Sequence, residues 1–417
     1  MLTLNPEPQH TATPAKTATP LLSMKTIELV KSTIPLLEAA GVAITEHFYE
    51  RLFRLNPELK NIFNLRNQQS GRQQFALFSA IAAYAKNIEN PSVLASAIER
   101  IAHKHTSFNV QPEHYAVVGH HLIETLRELA PDAFTPDIEA AWSEAYTYLA
   151  SVFIGREREL YQAGEQQPGG WTGVRTFNVQ QKTLESEYVT SFTLVPSDGG
   201  AIRAYKPGQY LAVRVKPAGA EYFHIRQYSL SDKFNGEHYR ISVKRETDPV
   251  AGAVSHYLHN SINIGDQLEV LPPAGDFFLQ STDTANVLIS AGVGLTPMIS
   301  MLEAIVASQS HAPVFFLHAC ENARQHSFVE RIKELQQQSQ NVKSFTWYNH
   351  SHAQLASNIY SGLMEITAIA DQLPLAQGNF YLCGPTGFMK FAKDQLVALG
   401  VGDERIHYEV FGPHSEL

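Results

Sequence analysis

The pattern of hydrophobic and polar residues changes twice along the 417-residue chain. From about Leu22 to Gly164, apolar residues recur every three or four positions, which is the period of helices that cover a core with one face. The segment GVAITEHFYERLFRL shows this period, with Ile44, Phe48 and Leu52 on one face. The first part of the chain is therefore predicted to be helical throughout.

Capping residues and prolines indicate where these helices begin. Ser70 can cap the helix that follows it, because its hydroxyl can accept from an unpaired backbone N–H. Pro112 and Pro136 suit the first turns of two later helices, since proline lacks the N–H that a helix N-terminus leaves unpaired. The second of these is predicted to be long and to end near Gly164, and Phe63 is predicted to lie in an earlier loop.

Beyond this point the hydrophobic period shortens and then changes again. The segment GEQQPGG has the composition of a linker. Apolar residues then alternate as far as about Gln280 in four short segments that predict an antiparallel barrel: SFTLVP, GQYLAVRV, YRISVKRE and DQLEVLP. From about Thr284, apolar strands separated by helical stretches indicate a parallel α/β domain: NVLISAGVG, APVFFLHAC, KSFTWYNH and NFYLCGP.

These patterns divide the chain, and its length also favours two or three domains. The expected division is a tail, a helical domain, a linker, a barrel domain and an α/β domain, with bounds at 1–20, 22–163, 164–170, 171–280 and 281–417.

Composition argues against several classes of protein. A net charge of −9 without a Lys/Arg-rich stripe argues against a nucleic-acid partner. The longest uncharged run, Thr284 to Leu302, is interrupted by glycines and a proline, so no stable membrane insertion is expected. Cys320 and Cys383 are far apart, which indicates a reducing compartment, and the cytoplasm is the expected location. Residues 1–20 show no targeting signal and are expected to be a disordered tail, or an extension upstream of a true start at Met24.

Two histidines in the segment IERIAHKHTSFNV differ in helical phase. His105 continues the apolar face that carries Ile98 and Ile101, so it is predicted to point inward. His103 lies roughly 200° away around the helix, on the face of Glu99, and is predicted to be a surface residue. The alternative for His105 is an ordinary core histidine with one hydrogen bond.

A tyrosine and a glutamate also lie on apolar helix faces in this domain. Tyr115 and Glu157 are predicted to point inward, and a buried carboxylate is costly unless it is paired or hydrogen-bonded. Alternatively, Glu157 pairs with Arg156 or Arg158 and Tyr115 is only a core residue. An inward histidine in a helical domain suits haem iron, which takes one imidazole and leaves the opposite position free.

The segment FHIRQYSLSD in the barrel domain has the residues of a flavin site. The guanidinium of Arg226 can pair with a phosphate. The ring of Tyr228 can stack on a flavin, and the hydroxyl of Ser229 can hydrogen-bond its nitrogen edge. The combination of this segment with a following α/β domain predicts a ferredoxin-reductase-like flavoprotein.

Two glycine turns in the third domain suit a dinucleotide. In NVLISAGVGLTPM, Gly292 and Gly294 let the backbone approach a diphosphate at a helix N-terminus. Thr296 is predicted to cap that helix, with Pro297 at its first position. In YLCGPTGFM, the residues from Cys383 end a strand where nicotinamide should meet the flavin. The alternative for each turn is an ordinary connection between strand and helix.

The segments HFYERLF, NPELKNIF and KHTSFNVQPEHY, together with the later motifs, resemble the bacterial flavohaemoglobins over nearly the whole chain. The resemblance implies an all-α globin domain, an antiparallel β-barrel FAD domain and an α/β parallel-sheet NAD(P)-binding domain. It implies that His105 is the proximal ligand of the haem iron. It further implies that Tyr115 and Glu157 form a pair that hydrogen-bonds this ligand. On the opposite, distal side it implies that Tyr49, Gln73 and Leu77 line the pocket and that Phe63 packs on the haem.

The same resemblance implies the residues that bind the other two cofactors. Those for FAD are Tyr210, Arg226, Gln227, Tyr228, Ser229, Val410, Phe411, Gly412 and Pro413. Those for NAD(P)H are Gly292, Val293, Gly294, Leu295, Thr296, Pro297, Cys383, Gly384 and Pro385. The family often has cysteine at the position of Val410, so a backbone contact is expected there. Lys104 and Glu409 match positions that tune the haem–flavin region, and the alternative for both is a solvated charge.

The resemblance implies a nitric oxide dioxygenase with one haem b, one FAD and NADH or NADPH as donor. Electrons would pass from NAD(P)H through FAD to the haem, where NO and O₂ would form nitrate. Two alternatives remain at this point: a haem-based O₂ or NO sensor, and a general flavin reductase that feeds other acceptors. The carboxylate of Glu321 would repel the 2′-phosphate of NADPH and so favours NADH, whereas nearby Arg324 could bind that phosphate, so both donors stay open. The protein is expected to be a monomer.

Overall fold

The structure, a computed structural model, describes residues 22–63, 71–247, 251–350 and 357–412. Ser70 and Pro413 lie outside these ranges, and the side chain of Arg72 is also not described. The described residues form a helical part, an antiparallel barrel and a parallel sheet covered by helices, in that order along the chain. This is the order that the hydrophobic pattern predicts.

The helical part contains seven α-helices within the described residues. They are α1 (Met24–Ser32), α2 (Ile34–Ala40), α3 (Ala43–Leu55), α4 (Arg72–Lys86), α5 (Ala95–Ser107), α6 (Pro112–Leu129) and α7 (Pro136–Glu165). Pro112 and Pro136 begin α6 and α7, as predicted. Helix α4 begins at Arg72 with Gly71 as its N-cap. Gly71 has a φ of +72°, a conformation that glycine adopts without steric cost.

The barrel consists of six antiparallel strands. They are β1 (Arg175–Leu184), β2 (Val189–Pro196), β3 (Tyr210–Val215), β4 (His224–Ser229), β5 (Tyr239–Lys244) and β6 (Gln267–Ala274), in the order β4-β3-β6-β1-β2-β5. A bridge between Leu230 and Ile241 joins the two outer strands. Helix α8 (Ala253–Ser261) lies between β5 and β6 in the sequence. The interior is apolar because alternate residues of each strand face inward.

The third part is a six-stranded parallel sheet. Its strands are β7 (Asn286–Ala291), β8 (Val314–Cys320), β9 (Val342–Tyr348), β10 (Ile359–Ser361), β11 (Asn379–Cys383) and β12 (Ile406–Glu409), in the order β10-β9-β8-β7-β11-β12. Its helices are α9 (Leu295–Ala307), α10 (Val329–Gln338) and α11 (Thr386–Ala398). Strand order reverses between β7 and β11, and ligands of such sheets bind at the carboxyl ends of the strands at this point.

Helix α5 lies at the junction between the helical part and the barrel. Phe108, which follows α5, packs on the barrel residues Ala212, Ile225 and Leu271. The prediction that His103 is a surface residue is wrong, since its ring is half-buried and accepts a hydrogen bond from the backbone N–H of Gly275 at 3.3 Å. The hydrophobic period predicted the polar face of α5 but not that the barrel covers it. Among the described ranges, no helix has the length and apolar character needed to cross a bilayer.

Candidate active site

Three polar side chains meet inside the helical domain. Nδ1 of His105 lies 2.7 Å from Oε1 of Glu157 and 2.8 Å from the hydroxyl oxygen of Tyr115. The Tyr115 hydroxyl donates to the same carboxylate oxygen at 2.5 Å. Arg156 does not pair with Glu157 but binds Glu99 at 2.6 Å. The three residues that helical phase placed on apolar faces therefore form one hydrogen-bonded group, which we call the proximal triad.

The proximal triad determines which nitrogen of His105 carries the proton. A carboxylate only accepts hydrogen bonds, and the Tyr115 proton is already donated to Glu157, so Nδ1 of His105 must be protonated. The lone pair of the neutral ring is then on Nε2, the atom that binds iron in a haem protein. Glu157 is only 2 % exposed. Burial and the nearby carboxylate raise the pKa of Tyr115, so its phenol stays protonated and continues to donate.

The predicted distal residues lie on α3, α4 and the turn between them. The ring of Tyr49 packs against Phe63 with ring centroids 5.9 Å apart, and both belong to an apolar cluster that Leu77 joins. This cluster and the one around Tyr115 share Tyr146, so the two lie side by side. Gln73 has a buried Oε1 atom with no hydrogen-bond partner within the part of the chain that the structure describes.

These observations fit a haem between the two clusters. A buried polar atom without a partner calls for an explanation, and a ligand that it would contact is one. Gln73 supplies such an atom on one side, while His105 supplies an imidazole whose metal-binding nitrogen is left free by the proximal triad. Aromatic and aliphatic side chains suit the faces of a porphyrin. The donor set of one histidine within an apolar pocket is that of a haem protein.

The flavin motif lines a cleft with a volume of about 170 Å³. Residues 226–229 of β4 line this cleft, and so does Phe411, which is 44 % exposed. Lys244 and the N-terminus of α8 also line it, so a cation and backbone N–H groups are available for a diphosphate. Tyr210 pairs with Ser229 in the register of β3 and β4. The residues present fit an FAD.

The cleft and the helix that carries His105 are joined by hydrogen bonds. The side-chain amide of Gln227 donates to the hydroxyl of Ser107 at 2.5 Å, and Ser107 is fully buried. Lys104 donates to the backbone carbonyl of Gly412. Ser107 was not identified from the sequence. A serine two residues after a candidate ligand is too common a feature to have indicated this contact.

Lys104 and Glu409 both lie in this junction rather than in solvent. Burial lowers the pKa of Lys104 and raises the pKa of Glu409 to about 7, with Lys104 opposing the shift of Glu409. Asp276 raises the pKa of Glu409 further. The solvated-charge alternative is therefore wrong for both. Val410 is buried in the core of the third domain, so its side chain does not face the flavin cleft.

The two glycine turns of the third domain touch each other. A Cβ at Gly294 would overlap the carbonyl of Cys383, and Gly292 has a φ of +54°, so the first turn needs glycine at both positions, at Gly294 for space and at Gly292 for conformation. Gly384 follows Cys383 with a φ of +159°. Pro385 is the N-cap residue of α11. The turns bring the ends of β7 and β11 together where the sheet predicts a ligand.

The predicted cap at Thr296 is wrong. A 3-10 turn over Gly292–Gly294 leads directly into α9, which begins at Leu295 with Gly294 as its N-cap. Thr296 is thus already inside the helix, and its hydroxyl donates to the carbonyl of Val293 at 3.0 Å. Val293 and Thr296 line the flavin cleft, whereas Leu295 and Pro297 are buried and do not line it. Pro297 is the third residue of α9, so its predicted place at the first position is wrong.

The residues that bear on the choice of NADH or NADPH lie after β8. The Glu321 carboxylate accepts from His350 at 2.9 Å and from Asn349 at 3.1 Å. Arg324 is exposed and lies 3.9 Å from the carboxylate of Glu187 on the barrel side. An acidic group and a basic group therefore both remain near this strand end.

Comparison with known proteins gives a family for each part of the chain. Residues 46–153 match the globin family, residues 176–279 the oxidoreductase FAD-binding domain and residues 288–394 the oxidoreductase NAD-binding domain. Together with the three sites, these matches define an oxidoreductase that uses haem, FAD and a nicotinamide dinucleotide.

The chain is 54 % identical to a flavohemoprotein of Vibrio cholerae serotype O1 over 399 residues, which are 95 % of this chain and all of the relative. A crystal structure of flavohemoglobin from Malassezia yamatoensis with bound FAD and heme superposes with a TM-score of 0.83 at 26 % identity, covering 94 % of this chain and all of the other. The FAD/NAD-binding domain of a nitric oxide dioxygenase from Vibrio cholerae O1 biovar El Tor matches 57 % of this chain and 99 % of its own, with 48 % identity and a TM-score of 0.54. This chain belongs to the flavohemoprotein family. The family, the three-part fold and the cofactors inferred from the sequence are confirmed.

Proposed function

We propose that this protein is an NAD(P)H-dependent nitric oxide dioxygenase that converts NO and O₂ to nitrate. The observation that carries the proposal is the proximal triad, because it holds the iron-binding histidine against a buried carboxylate. When bound, the haem supplies an iron that takes O₂ and single electrons, the flavin divides electron pairs, and the nicotinamide supplies hydride. The Vibrio cholerae relative of the FAD and NAD domains is named a nitric oxide dioxygenase, which supports the proposal.

Glu157 and Tyr115 would act through His105. A carboxylate that accepts the Nδ1 proton makes an imidazole more electron-donating toward a metal. Such a ligand favours oxidation chemistry over reversible storage of O₂, which supports a dioxygenase rather than a sensor. The buried Tyr115 hydroxyl keeps the carboxylate oriented by its bond of 2.5 Å.

Tyr49, Gln73, Leu77 and Phe63 would form the side on which the gases react. Gln73 has the buried Oε1 atom without a partner, so its amide group is available to orient a ligand. The Tyr49 hydroxyl is the proposed hydrogen-bond donor to O₂. Leu77 and Phe63 would exclude water and pack against the porphyrin, since both belong to the apolar cluster around Tyr49.

The cleft residues would hold the flavin and the nucleotide next to each other. Arg226 would pair with a phosphate of FAD, while Tyr228 and Ser229 would contact the ring and its nitrogen edge, with Tyr210 and Gln227 beside them. Phe411 would cover the ring, and the backbone from Val410 to Gly412 would complete the site. The turns that begin at Gly292 and Cys383 would hold the diphosphate and the nicotinamide. Lys104 and Glu409, at the junction, would tune electron transfer to the haem.

We also propose that the protein is a monomer in the cytoplasm. Cys320 and Cys383 are both free thiols in the structure, which suits a reducing compartment. The experiment for the location is cell fractionation, and the experiment for the monomer is size-exclusion chromatography with light scattering.

The activity is tested with haem- and FAD-loaded protein, NADH or NADPH, air and NO. We expect rapid loss of NO that depends on the nucleotide, with nitrate rather than nitrite as the product. Slow loss of NO by a protein whose flavin is reduced by NADH would contradict the proposal. A tight O₂ or NO complex with slow turnover would then indicate a sensor, and fast reduction of external acceptors without haem would indicate a general reductase.

A further inference from the structure

Helix α9 connects the nucleotide turn with the barrel domain. Thr296 in its first turn, and Val293 in the 3-10 turn that precedes it, form part of the wall of the flavin cleft. Further along, the same helix carries two buried polar side chains, Ser300 and Glu303. Both face the barrel, and none of the flavin or nucleotide roles proposed above includes them.

Glu303 is 4 % exposed, and its carboxylate is held from three directions. Oε1 accepts from Nε of Arg331 on α10 at 2.8 Å and from a guanidinium nitrogen of Arg240 on β5 at 3.4 Å. Oε2 accepts from the backbone N–H of Lys233 at 3.1 Å. Removing the negative charge would leave two half-buried guanidinium groups without their shared partner.

Ser300 hydrogen-bonds to the same barrel segment as Glu303. Its hydroxyl donates to the carbonyl of Asp232 at 2.6 Å. The hydroxyl of Tyr205 donates to that same carbonyl at 2.6 Å, so the segment is also fixed to the barrel. Asp232 and Lys233 lie three and four residues after the end of β4, the strand with the flavin motif. One short, buried path therefore runs from the flavin strand through Ser300 and Glu303 to the nucleotide turn.

We propose that Glu303, together with Ser300, is a positioning residue for hydride transfer from the nicotinamide to the flavin. In this reaction a hydride passes from NADH to FAD, which gives NAD⁺ and FADH⁻, and the two residues would hold the donor and acceptor sites at the right distance. The inference rests on the proposed function only in assigning a nicotinamide and a flavin to the two ends of the path. Because hydride transfer depends steeply on the distance between donor and acceptor, a small shift of α9 against β4 slows it.

The test is anaerobic stopped-flow reduction of the haem- and FAD-loaded protein by NADH and by 4-deuterated NADH. In the Glu303→Gln variant, we expect the limiting rate of flavin reduction to fall on the order of tenfold or more. The isotope effect should increase, and the charge-transfer absorbance between nucleotide and flavin should weaken. FAD content and the haem spectrum should not change. Amide hydrogen exchange at Lys233 should accelerate, even without nucleotide.

Two further variants make the test decisive. Glu334→Gln removes the other carboxylate partner of Arg331, at 3.0 Å and 58 % exposed, and should leave the rate and the isotope effect as in the wild type. Ser300→Ala removes the neighbouring anchor and should slow hydride transfer in the same direction, so it decides the question if Glu303→Gln does not fold.

A merely structural role predicts a different result. Wild-type rates and isotope effects in both Glu303→Gln and Ser300→Ala, with only a lower unfolding temperature, would overturn the inference. The assay contains neither NO nor O₂. A protein that reduces its flavin normally but does not consume NO would therefore contradict the proposed function and leave this inference intact.

Discussion

The two faces of helix α5 hold histidines with opposite hydrogen-bond roles. On the inner face, Nδ1 of His105 donates to the proximal triad, which leaves the Nε2 lone pair free. On the junction face, Nδ1 of His103 accepts from the N–H of Gly275, and Nε2 then donates to Glu99 at 3.1 Å. Both ring nitrogens of His103 are therefore engaged. The difference teaches that the hydrogen-bond partners of the ring, a buried carboxylate and phenol for His105 but a backbone N–H and Glu99 for His103, distinguish the two histidines of this helix.

The strongest test of this difference exchanges each histidine for alanine. His105→Ala should abolish NADH-dependent consumption of NO, because the iron loses its proximal ligand, while NADH still reduces the flavin. His103→Ala should retain haem and most of the activity. Haem absorbance, NO consumption and flavin reduction measure these outcomes. Haem loss in His103→Ala together with retention in His105→Ala would reverse the assignment.

A smaller effect is expected when the proximal triad is weakened but not removed. Glu157→Gln keeps the shape of the side chain and removes its charge, so His105 becomes a weaker electron donor. We expect turnover to fall about tenfold to a hundredfold. The Fe–His stretching frequency, measured by resonance Raman spectroscopy, should decrease. Glu159→Gln, on the exposed side of the same helix, is the control. An unchanged stretching frequency and unchanged turnover would show that Glu157 does not act on the iron through His105.

The junction face should respond to pH through Glu409. Its pKa is raised from 4.5 to about 7, so the folded protein holds this proton more tightly than the unfolded chain. The stabilisation is therefore complete below about pH 4.5 and is lost as the pH rises through about 7. Glu409→Gln should remove a pH-dependent contribution on the order of 1 to 3 kcal/mol. Unfolding temperatures measured across this range should be flatter in the variant than in the wild type, and parallel curves would contradict the assignment.

The smallest effect is expected at Ser107, also on the junction face. Ser107→Ala leaves the amide of Gln227 without its buried acceptor, which should cost about 1 kcal/mol of stability. Electron transfer from flavin to haem should slow, whereas reduction of the flavin by NADH should not. Laser-flash or stopped-flow kinetics separate the two steps. Thr106→Ala, the neighbouring hydroxyl that donates within its own helix, is the control.

Local patterns in the sequence predicted those features that depend on short stretches of chain. The helical period was sufficient to turn His105, Tyr115 and Glu157 inward, because the period of a helix is nearly constant. The alternation of apolar residues predicted the barrel strands in the same way. The predicted cap at Thr296 failed because the glycine turn that ends at Gly294 begins that helix instead.

The sequence by itself determined the three kinds of architecture, the inward histidine and the motifs for flavin and nucleotide. These follow from backbone geometry and from the chemistry of single residue types. Only the tertiary structure decided which nitrogen of His105 is free, that His103 and Lys104 lie beneath the barrel and C-terminal segment, and that Glu303 holds two domains together. The hydrogen-bonded residues Ser107 and Gln227, for example, are 120 residues apart in the sequence, and Lys233 and Glu303 are 70 residues apart. Periodicity predicts that a face is polar or apolar, but the partner that covers the face is chosen by the packing of whole domains.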